Sequence, residues 1–519
     1  MQLHQIDFAD TKLFSQTFID YITENDTLKE FYHQAPSIDN FAQQITLKKS
    51  FPKATRTVLH QVLQAQYQAI DNAPKGQIDA LLQENTFTVT TGHQLNLFTG
   101  PLYFVYKIAA AINTAKVLKE KYPDYNFVPV YWMATEDHDF EEINHFHLFG
   151  KTHTWETSQT GAVGRFSPDG LQSVFEEINE APEVFKKAYL EHQSLAEATR
   201  YLVHHLFPDT GLVVLDADHP ALKKAYQEVI KAEVLNPVSL DLVSKTSEKL
   251  DNLHYKTQVT PREINFFYLE GGIRQRIVNK EGCFEVLETE LKFSPQEMDK
   301  LIEEHPERFS PNVILRPLYQ EFILPNLSYI GGPSELVYWL QLKGVFEHYQ
   351  IPFPMLQPRN FVLFVNKPSV KKFNKLNLTV QDLFLDEATL RKNFVLANSE
   401  NEITLEQETE GLNQLFERLV QKSLEVDKSL EGFVKSEHQK ALKSLGNIEK
   451  RLKKSEERKM ETEVNQLIKL KEKLFPNGAP QERYENLLSF YINNPAFITQ
   501  ILEKLNPFGF RMNVLMEDV

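Results

Sequence analysis

Carboxylates flank a histidine in the run Glu136-Asp137-His138-Asp139, which follows an apolar stretch of the chain. Such side chains can take a proton from an amine or bind its charged form, so Asp137, His138 and Asp139 are the candidate catalytic residues. The same atoms are ordinary ligands of divalent metals. A metal-dependent hydrolase that uses the His/Asp cluster at 137–147 is therefore the alternative function, and a polar loop with helix-capping aspartates is the structural alternative. The cluster contains no H-E-x-x-H motif and no Cys ligand, so no metal ligand is assigned.

A second cluster, Gly92-His93-Gln94, lies shortly before Gly100-Pro101, where a helix is expected to begin. Backbone N–H groups at a helix start favour an anion such as a phosphate or a carboxylate. His93 can add positive charge as imidazolium or pass a proton. The structural alternative is a turn in which Gly92 adopts a positive φ and His93 caps a backbone group. We predict that Gly92, His93 and Gln94 bind substrate.

Two more clusters stand between an apolar run and a helical pattern. Asp216 is a candidate ligand, whereas Asp218 equally fits a helix N-cap. Arg316 can form a bidentate pair with a substrate carboxylate, and Arg359 is a similar candidate. Ser334 can serve as an ordinary N-cap. The substrate-binding residues predicted in these clusters are Asp216, Arg316, Gln320, Gly331, Gly332, Glu335 and Arg359.

These turns contain none of the common nucleotide or nucleophile motifs. The patterns G-x-x-x-x-G-K-[ST], G-x-G-x-x-G and G-x-S-x-G are all missing from them. The turns therefore give no support to a P-loop enzyme, a nicotinamide enzyme of the usual fingerprint or a serine hydrolase.

The clusters must be positioned by alternating strands and helices. Apolar, strand-like runs at 86–91, 127–134, 212–215, 327–330 and 354–357 are separated by helical patterns, which predicts an α/β fold with a Rossmann-like parallel sheet. In such sheets ligands bind beyond the carboxyl ends of the strands. The first 82 residues have helical periodicity. Segments of about 141–204 and 236–310 lack the alternation and are predicted to be insertions, the second with a strand pair that turns at Gly271-Gly272.

The region 404–474 has a different pattern. Leu445, Ile448 and Leu452 are spaced by three and four residues, and Met460, Val464, Leu467 and Leu474 continue at heptad intervals. This predicts a coiled-coil arm that forms a homodimer, with an antiparallel hairpin within one chain as the alternative. The predicted domains are 1–375, the Rossmann-like core, and 376–519, the helical coiled-coil domain with a C-terminal tail that returns to the sheet at 508–515.

Composition narrows the class of partner. The chain of 519 residues has 56 basic and 71 acidic side chains, a net charge of −15, which opposes binding to nucleic acid or anionic lipid. Hydrophobic residues make up 42%, enough for a core, and no stretch is long enough for a membrane span. The single cysteine, Cys283, excludes an internal disulfide and fits a reducing compartment. We expect a cytoplasmic protein that binds neither nucleic acid nor membrane.

Five sequence stretches resemble the bacillithiol biosynthesis cysteine-adding enzymes, the BshC family. They are T-G-H-Q-L-N-L-F-T-G-P-L-Y at 91–103, P-V-Y-W-M-A-T-E-D-H-D-F-E-E-I-N-H at 129–145, S-P-N-V-I-L-R-P-L-Y-Q-E at 310–321, I-G-G-P-S-E-L-V-Y-W-L-Q-L-K-G-V-F at 330–346 and F-P-N-G-A-P-Q-E-R at 475–483. The similarity spans nearly the full chain in the same order. The family usually has T-G-Q-Q at the first motif, so Gln94 rather than His93 is the ligand that the resemblance supports.

The resemblance implies both a fold and a reaction. The fold is a Rossmann-like core akin to class I aminoacyl-tRNA synthetases, with connecting insertions and a coiled-coil arm used for dimerisation. The reaction joins cysteine by an amide bond to the glucosamine amine of glucosaminyl-malate, the last step to bacillithiol. By analogy with the synthetases a nucleotide, ATP or ADP, is a candidate cofactor. The hypotheses are thus the cysteine ligase, the metal-dependent hydrolase, and a coiled-coil scaffold whose α/β part only binds a ligand.

Overall fold

The computed structural model describes residues 1–178 and 180–519, which divide into two compact units. The larger unit comprises Asp7–Leu363 and Gln481–Asn513. The smaller unit comprises Met1–Ile6, Phe364–Pro480 and Val514–Val519. The domain boundary expected after residue 375 stays a prediction, because compactness alone does not define a folding domain.

A five-stranded parallel sheet forms the centre of the larger unit. Across the sheet the strands are Met355–Pro358, Asn326–Gly331, Thr86–His93, Asn126–Met133 and Val213–Asp216. They are buried along most of their length, as expected when helices cover both faces of a parallel sheet. This confirms the α/β class and the Rossmann-like sheet predicted from the alternating pattern.

The chain reverses its direction of travel across this sheet at Thr86–His93. The next two strands along the chain are added on one side of it, and the last two are added on the other side. The carboxyl ends of Thr86–His93 and Asn326–Gly331 therefore diverge at a topological switch point, where open α/β sheets leave a crevice for ligands.

The first central strand is longer than the sequence indicates. The strand-like run predicted at 86–91 continues through His93, since Gly92 still pairs with Trp132 and His93 with Met133. Gly92 does not adopt a positive φ. A Cβ atom there would lie 3.3 Å from the hydroxyl of Tyr329, so close approach of the neighbouring strand explains the glycine.

Helices cover the sheet where the sequence places them. Tyr103–Lys121 packs against the strands, and Ala110, Ala111 and Leu118 join their apolar core. The segment that follows the strand Asn326–Gly331 forms two helices, Pro333–Trp339 and Lys343–His348, with a 3₁₀ turn at Leu340–Leu342 between them. Other helices of this unit are Phe8–Thr11, Gln16–Ile22, Phe41–Lys48, Lys53–Gln66, Lys75–Ala80, Pro220–Ala225, Gln227–Leu235, Ser239–Asn252, Pro295–Glu304, Arg316–Ile323, Leu488–Tyr491 and Phe497–Lys504.

The two insertions form small structures of their own. The first holds the hairpin His145–Leu148 and Lys151–Thr154, with helices Phe140–Ile143, Gln172–Glu176, Glu183–Leu190 and Leu195–Leu206. The second holds an antiparallel sheet in the order Lys292–Phe293, Cys283–Val286, Ile273–Lys280, Phe266–Glu270 and Phe309–Pro311. Glu270 pairs with Ile273, which confirms the predicted strand pair turned at Gly271-Gly272.

Two terminal predictions need correction. The first 82 residues are not wholly helical, since Gln2–Ile6 is a strand. Met512–Met516 does not return to the parallel sheet. It lies between Gln2–Ile6 and Phe361–Val365 in a separate three-stranded sheet.

The smaller unit contains the predicted arm. Its helices Glu406–Val426 and Glu431–Lys459 pair along their length, and Glu461–Leu474 follows. Val464 and Leu467 of this last helix are buried in an apolar core with Leu390, Phe394 and Val395 of helix Glu387–Asn398. Leu376, which follows helix Lys367–Lys375, and Ile403 also belong to this core. The earlier part of the seam differs, because Ile448 and Leu452 stay 50% and 37% exposed. Within the described residues no helix is both long and apolar enough to cross a membrane.

Candidate active site

A cavity of about 710 Å³ opens within the larger unit, at the carboxyl ends of the central strands. Its wall includes side chains that follow four of those strands and others from the antiparallel sheet. Ten of the predicted site residues line it: Gly92, His93, Gln94, Asp137, His138, Asp139, Arg316, Gly332, Glu335 and Arg359. Residues far apart in the sequence are thus brought into one site, as the strand-end argument requires.

The three other predicted residues lie behind the wall, and each bonds to a residue that lines it. Asp216 accepts a hydrogen bond from the Thr135 hydroxyl at 2.5 Å. Gln320 Oε1 accepts from the Arg316 guanidinium at 3.0 Å. The carbonyl of Gly331 accepts from the backbone N–H of Arg359 at 2.9 Å. These three residues therefore support residues of the cavity wall and do not line the cavity themselves.

Asp137 is closely held at one end of the cavity. One of its oxygens accepts from Gln94 Nε2 and the other from the backbone N–H of His138, both at 2.8 Å. Burial alone would raise the pKa of Asp137, but hydrogen bonds from His138 and Gln94 and the charge of Arg274 hold that pKa well below its usual range. Asp137 is therefore a stable carboxylate and a weak base.

His138 accepts a hydrogen bond at a defined ring nitrogen. Its Nδ1 lies 2.6 Å from a guanidinium nitrogen of Arg274, and a guanidinium can only donate. In the neutral ring the proton is therefore on Nε2, which lies 4.0 Å from an oxygen of Asp139. Arg274 is almost fully buried and its guanidinium also stacks on Phe267, 4.2 Å from the ring centroid.

Glu136 forms an ion pair with Lys223, whose side chain is fully buried. Burial raises the pKa of Glu136, and the charge of Lys223 lowers it only in part. Burial, with the nearby charge of Asp218, also raises the pKa of Asp216 to about 6. The N-cap expected at Asp218 is wrong, because Asp218 pairs with Arg165 and the cap of the next helix is His219.

Lys107 links Gly92 to Glu335 at the switch point. Its ammonium donates to the carbonyl of Gly92 and to both oxygens of Glu335, at 2.9 and 2.8 Å. Glu335 in turn accepts from the backbone N–H of Gly332 at 2.8 Å, so Gly332 and not Ser334 is the N-cap of its helix. The pair thus ties the ends of two adjacent central strands.

His93 does not supply the positive charge that the sequence suggests. Burial and the charge of Lys107 lower the pKa of His93 to about 3, so the ring is neutral at pH 7. Its Nδ1 lies 3.1 Å from the carbonyl of Gln94, which assigns the ring proton to that nitrogen. Binding of an anion by imidazolium at this position is therefore disfavoured.

Arg316 and Arg359 differ in their partners. Arg359 is paired end-on with Glu482 at 2.6 and 2.9 Å, and both side chains are almost fully buried. Arg316 donates to Gln320 and, at 3.4 Å, to the hydroxyl of Tyr338, both of which are neutral. Among the described residues no carboxylate forms an ion pair with Arg316, and Glu335 acts on it only as a nearby charge.

Sequence reasoning missed several charged residues of the cavity wall. Lys107 could have been noticed as a lone charge in the apolar helical run 103–112. Arg274 and Arg276 are two residues apart on one strand, a spacing that puts both on one face. The wall holds seven Lys and Arg side chains against four carboxylates, an excess of three positive charges: Lys107, Arg262, Arg274, Arg276, Arg316, Arg359 and Arg483 against Glu136, Asp137, Asp139 and Glu335.

These features define a class: a Rossmann-like α/β protein with a charged cavity at the sheet's switch point and a separate coiled-coil segment. The family model described as bacillithiol biosynthesis BshC, N-terminal Rossmann-like domain, matches residues 1–360. The model of the BshC C-terminal coiled-coil domain matches residues 362–517. The chain belongs to the BshC family of bacillithiol biosynthesis, as its sequence motifs indicated.

Relatives of similar length support this assignment. A protein of Flavobacterium johnsoniae named "Putative cysteine ligase BshC" is 43% identical, over 98% of this chain and 99% of its own. A protein of the same name from Cytophaga hutchinsonii is 41% identical, over 99% of this chain and 98% of its own. These relatives are named ligases, and nothing in their names supports the hydrolase alternative. A crystal structure titled "putative arginyl tRNA synthetase" from Campylobacter jejuni covers 86% of this chain and 97% of its own, at 11% identity and a TM-score of 0.21.

Proposed function

We propose that the protein is a cysteine ligase that forms an amide bond between the cysteine carboxyl and the glucosamine amine of glucosaminyl-malate. The observation that carries this proposal is the guanidinium of Arg316, which lines a cavity with excess positive charge and forms no ion pair with a described carboxylate. A partly buried cation with only neutral acceptors is stabilised further when an anion joins it. The malate part of the acceptor substrate supplies two carboxylates.

The other end of the cavity is acidic, which suits the amine of the substrate. Gly92 and Gln94 belong to one segment, yet a Cβ at Gly92 would lie 3.7 Å from Arg316, whereas Gln94 bonds directly to Asp137. The cationic and acidic groups thus approach positions that are two residues apart on this segment. A substrate with carboxylates at one end and an amine at the other fits this polarity.

The reaction needs an activated acyl group, because a free carboxylate does not condense with an amine to a useful extent in water. An amine must also lose a proton to leave a stable amide, so a base is required near the acidic end. The activating group is a co-substrate such as a nucleotide. The residues of the cavity wall account for acceptor binding and proton removal.

The proposal is tested in cells and with purified protein. The gene is expressed in a bacillithiol-producing bacterium that lacks its own family member, and thiols are profiled by mass spectrometry. We expect bacillithiol to return and glucosaminyl-malate to fall. Accumulated glucosaminyl-malate in cells that contain the folded protein would contradict the proposal.

We further propose that the protein is a homodimer through its arm. The hairpin of Glu406–Val426 and Glu431–Lys459 leaves apolar side chains exposed on both helices, at 44% for Leu415, 39% for Leu419 and 50% for Ile448. A second chain would remove this surface from water. Sedimentation equilibrium should give a dimer, and Ile448→Asp should weaken it, whereas a monomeric full-length chain would contradict the proposal.

We also place the enzyme in the cytoplasm. Its substrates are small metabolites, and its one cysteine, Cys283, is a free thiol. Fractionation of cells should recover the protein with cytoplasmic markers, and recovery in the membrane or the medium would contradict this.

A further inference from the structure

Glu136 lines the cavity and forms an ion pair with a buried cation, Lys223. It lies shortly beyond the end of the strand Asn126–Met133, with a side chain that is 12% exposed. Its Oε1 accepts from the ammonium of Lys223, which also donates to the backbone carbonyl of Phe309 at 2.8 Å. Lys223 does not line the cavity. The pair therefore leaves one carboxylate oxygen of Glu136, Oε2, for a substrate.

The neighbouring candidates for a base are less suitable. Both oxygens of Asp137 already accept hydrogen bonds, and Nδ1 of His138 is occupied by Arg274. Asp139 has a side chain that is 58% exposed, so water competes for it. Of the carboxylates at this end, Glu136 is shielded and has an oxygen without a described hydrogen bond.

We propose that Glu136 is the catalytic base of the ligase, held in position by Lys223. This inference rests on the proposed function. As the amine nitrogen forms its bond to the carbonyl carbon of cysteine, activated as a mixed anhydride with phosphate or a nucleotide, Oε2 of Glu136 takes the proton from that nitrogen. The bond from the carbonyl carbon to the phosphate oxygen then breaks, and its electron pair leaves with the phosphate.

The charges around Glu136 set the strength of this base. Burial raises its pKa, Lys223 and Arg274 lower it, and Asp218 raises it, with a net upward direction. A base whose pKa lies closer to the operating pH removes a proton more effectively than an ordinary carboxylate. The charged or titratable groups that face Glu136 are Lys223, Asp218, Arg274, Arg165 and Tyr319.

The test compares Glu136→Gln with a matched control, Glu285→Gln. Glu285 is a similarly shielded glutamate at 17% exposure, paired with Lys280 and Lys292, and it does not line the cavity. We expect Glu136→Gln to lower kcat for amide formation by ~10²–10⁴-fold, the usual effect of a positioned base, with little change in KM for glucosaminyl-malate. Glu285→Gln should keep the wild-type kcat.

A second variant tests the role of Lys223 as a positioning residue. Activity requires the deprotonated carboxylate, so the rate falls as the pH drops through the pKa of Glu136. Lys223→Met removes a charge that lowers this pKa, and the acid limb of the pH–rate profile should move to higher pH. A merely structural role would lower the amount of folded enzyme without moving the limb.

The outcomes separate this inference from the proposed function. If the wild-type gene restores bacillithiol in the deletion strain and Glu136→Gln restores it equally, the base assignment is overturned while the ligase stands. If the wild-type gene restores none, the ligase itself fails. Wild-type restoration with loss in folded Glu136→Gln, and retention in Glu285→Gln, supports the assignment.

Discussion

The two ends of the cavity treat charge in opposite ways. At the end that follows Asn126–Met133, the shielded carboxylates already have partners: Glu136 pairs with Lys223, and Asp137 accepts from Gln94 and a backbone N–H. At the end near the switch point, Arg316 has only neutral partners. The acidic end is thus organised before substrate binds, whereas the other end is completed by an anion. Whether a charged residue in a cavity can bind a ligand therefore depends mainly on its partners within the protein.

The largest effect is expected for a cation that is already paired. Arg359→Met leaves Glu482 as a buried carboxylate without its guanidinium, and breaking such a pair costs about 3–5 kcal/mol of unfolding free energy. Urea unfolding followed by fluorescence measures the loss. Arg316→Met is the control, since it strands no described carboxylate and should destabilise the protein less. Equal losses in the two variants would break the distinction between the two arginines.

The next effect concerns substrate affinity at Arg316. If this guanidinium binds a malate carboxylate, Arg316→Ala should weaken binding of glucosaminyl-malate by about 10–150-fold, which corresponds to about 1.5–3 kcal/mol. Arg316→Lys should recover only part, because lysine lacks the planar fork. Isothermal titration with glucosaminyl-malate checks this. Unchanged affinity with a lower turnover would instead make Arg316 a stabiliser of the transition state.

The fold was more predictable than the site because strands leave a strong local signal. The five central strands lie within one or two residues of their apolar runs, and the turn at Gly271-Gly272 is where glycines indicate it. The strand Gln2–Ile6 was missed, since its alternating polar sequence carries little apolar signal and its partners come from the far end of the chain.

Contacts between residues that are far apart in the sequence could not be predicted. Arg316 and Arg359 are equivalent as sequence candidates, and only the fold shows that Glu482 neutralises one of them. Similarly, Lys107 and Glu335 are 228 residues apart, so their contact depends on the order of the strands. The local type of a residue can be predicted from sequence, but its electrostatic state depends on tertiary contacts.

A smaller effect is expected on the acid stability of the protein when the Lys107–Glu335 pair is removed. Burial would raise the pKa of Glu335, but the charge and hydrogen bonds of Lys107 lower it to about 2. A glutamate in an unfolded chain has a pKa of about 4.3, so its stabilising contribution is full above that value and is lost as the pH falls toward 2. Glu335→Gln should reduce the slope of unfolding free energy against pH in this window by up to ~1.36 kcal/mol per pH unit, the value for one proton. Urea titrations at several pH values measure it, and an unchanged slope would place the proton uptake elsewhere.

The smallest expected effect is that of metal removal, and it tests whether the acidic end is complete without an ion. Asp137, His138 and Asp139 each offer one ligand atom, all within 4.8 Å of one another. Yet Arg274 donates to Nδ1 of His138 at 2.6 Å and lies 3.9 Å from an oxygen of Asp137, so it occupies one of the two imidazole nitrogens that could hold a metal and repels a second cation. Dialysis of the enzyme against a chelator, followed by removal of the chelator, should therefore leave turnover unchanged. Arg274→Met should raise the affinity of this cluster for Zn²⁺, because it frees the imidazole nitrogen and removes the repelling charge. Stoichiometric metal in the purified wild-type protein, with activity lost on dialysis and restored by that metal, would show instead that the acidic end requires an ion and would revive the hydrolase hypothesis.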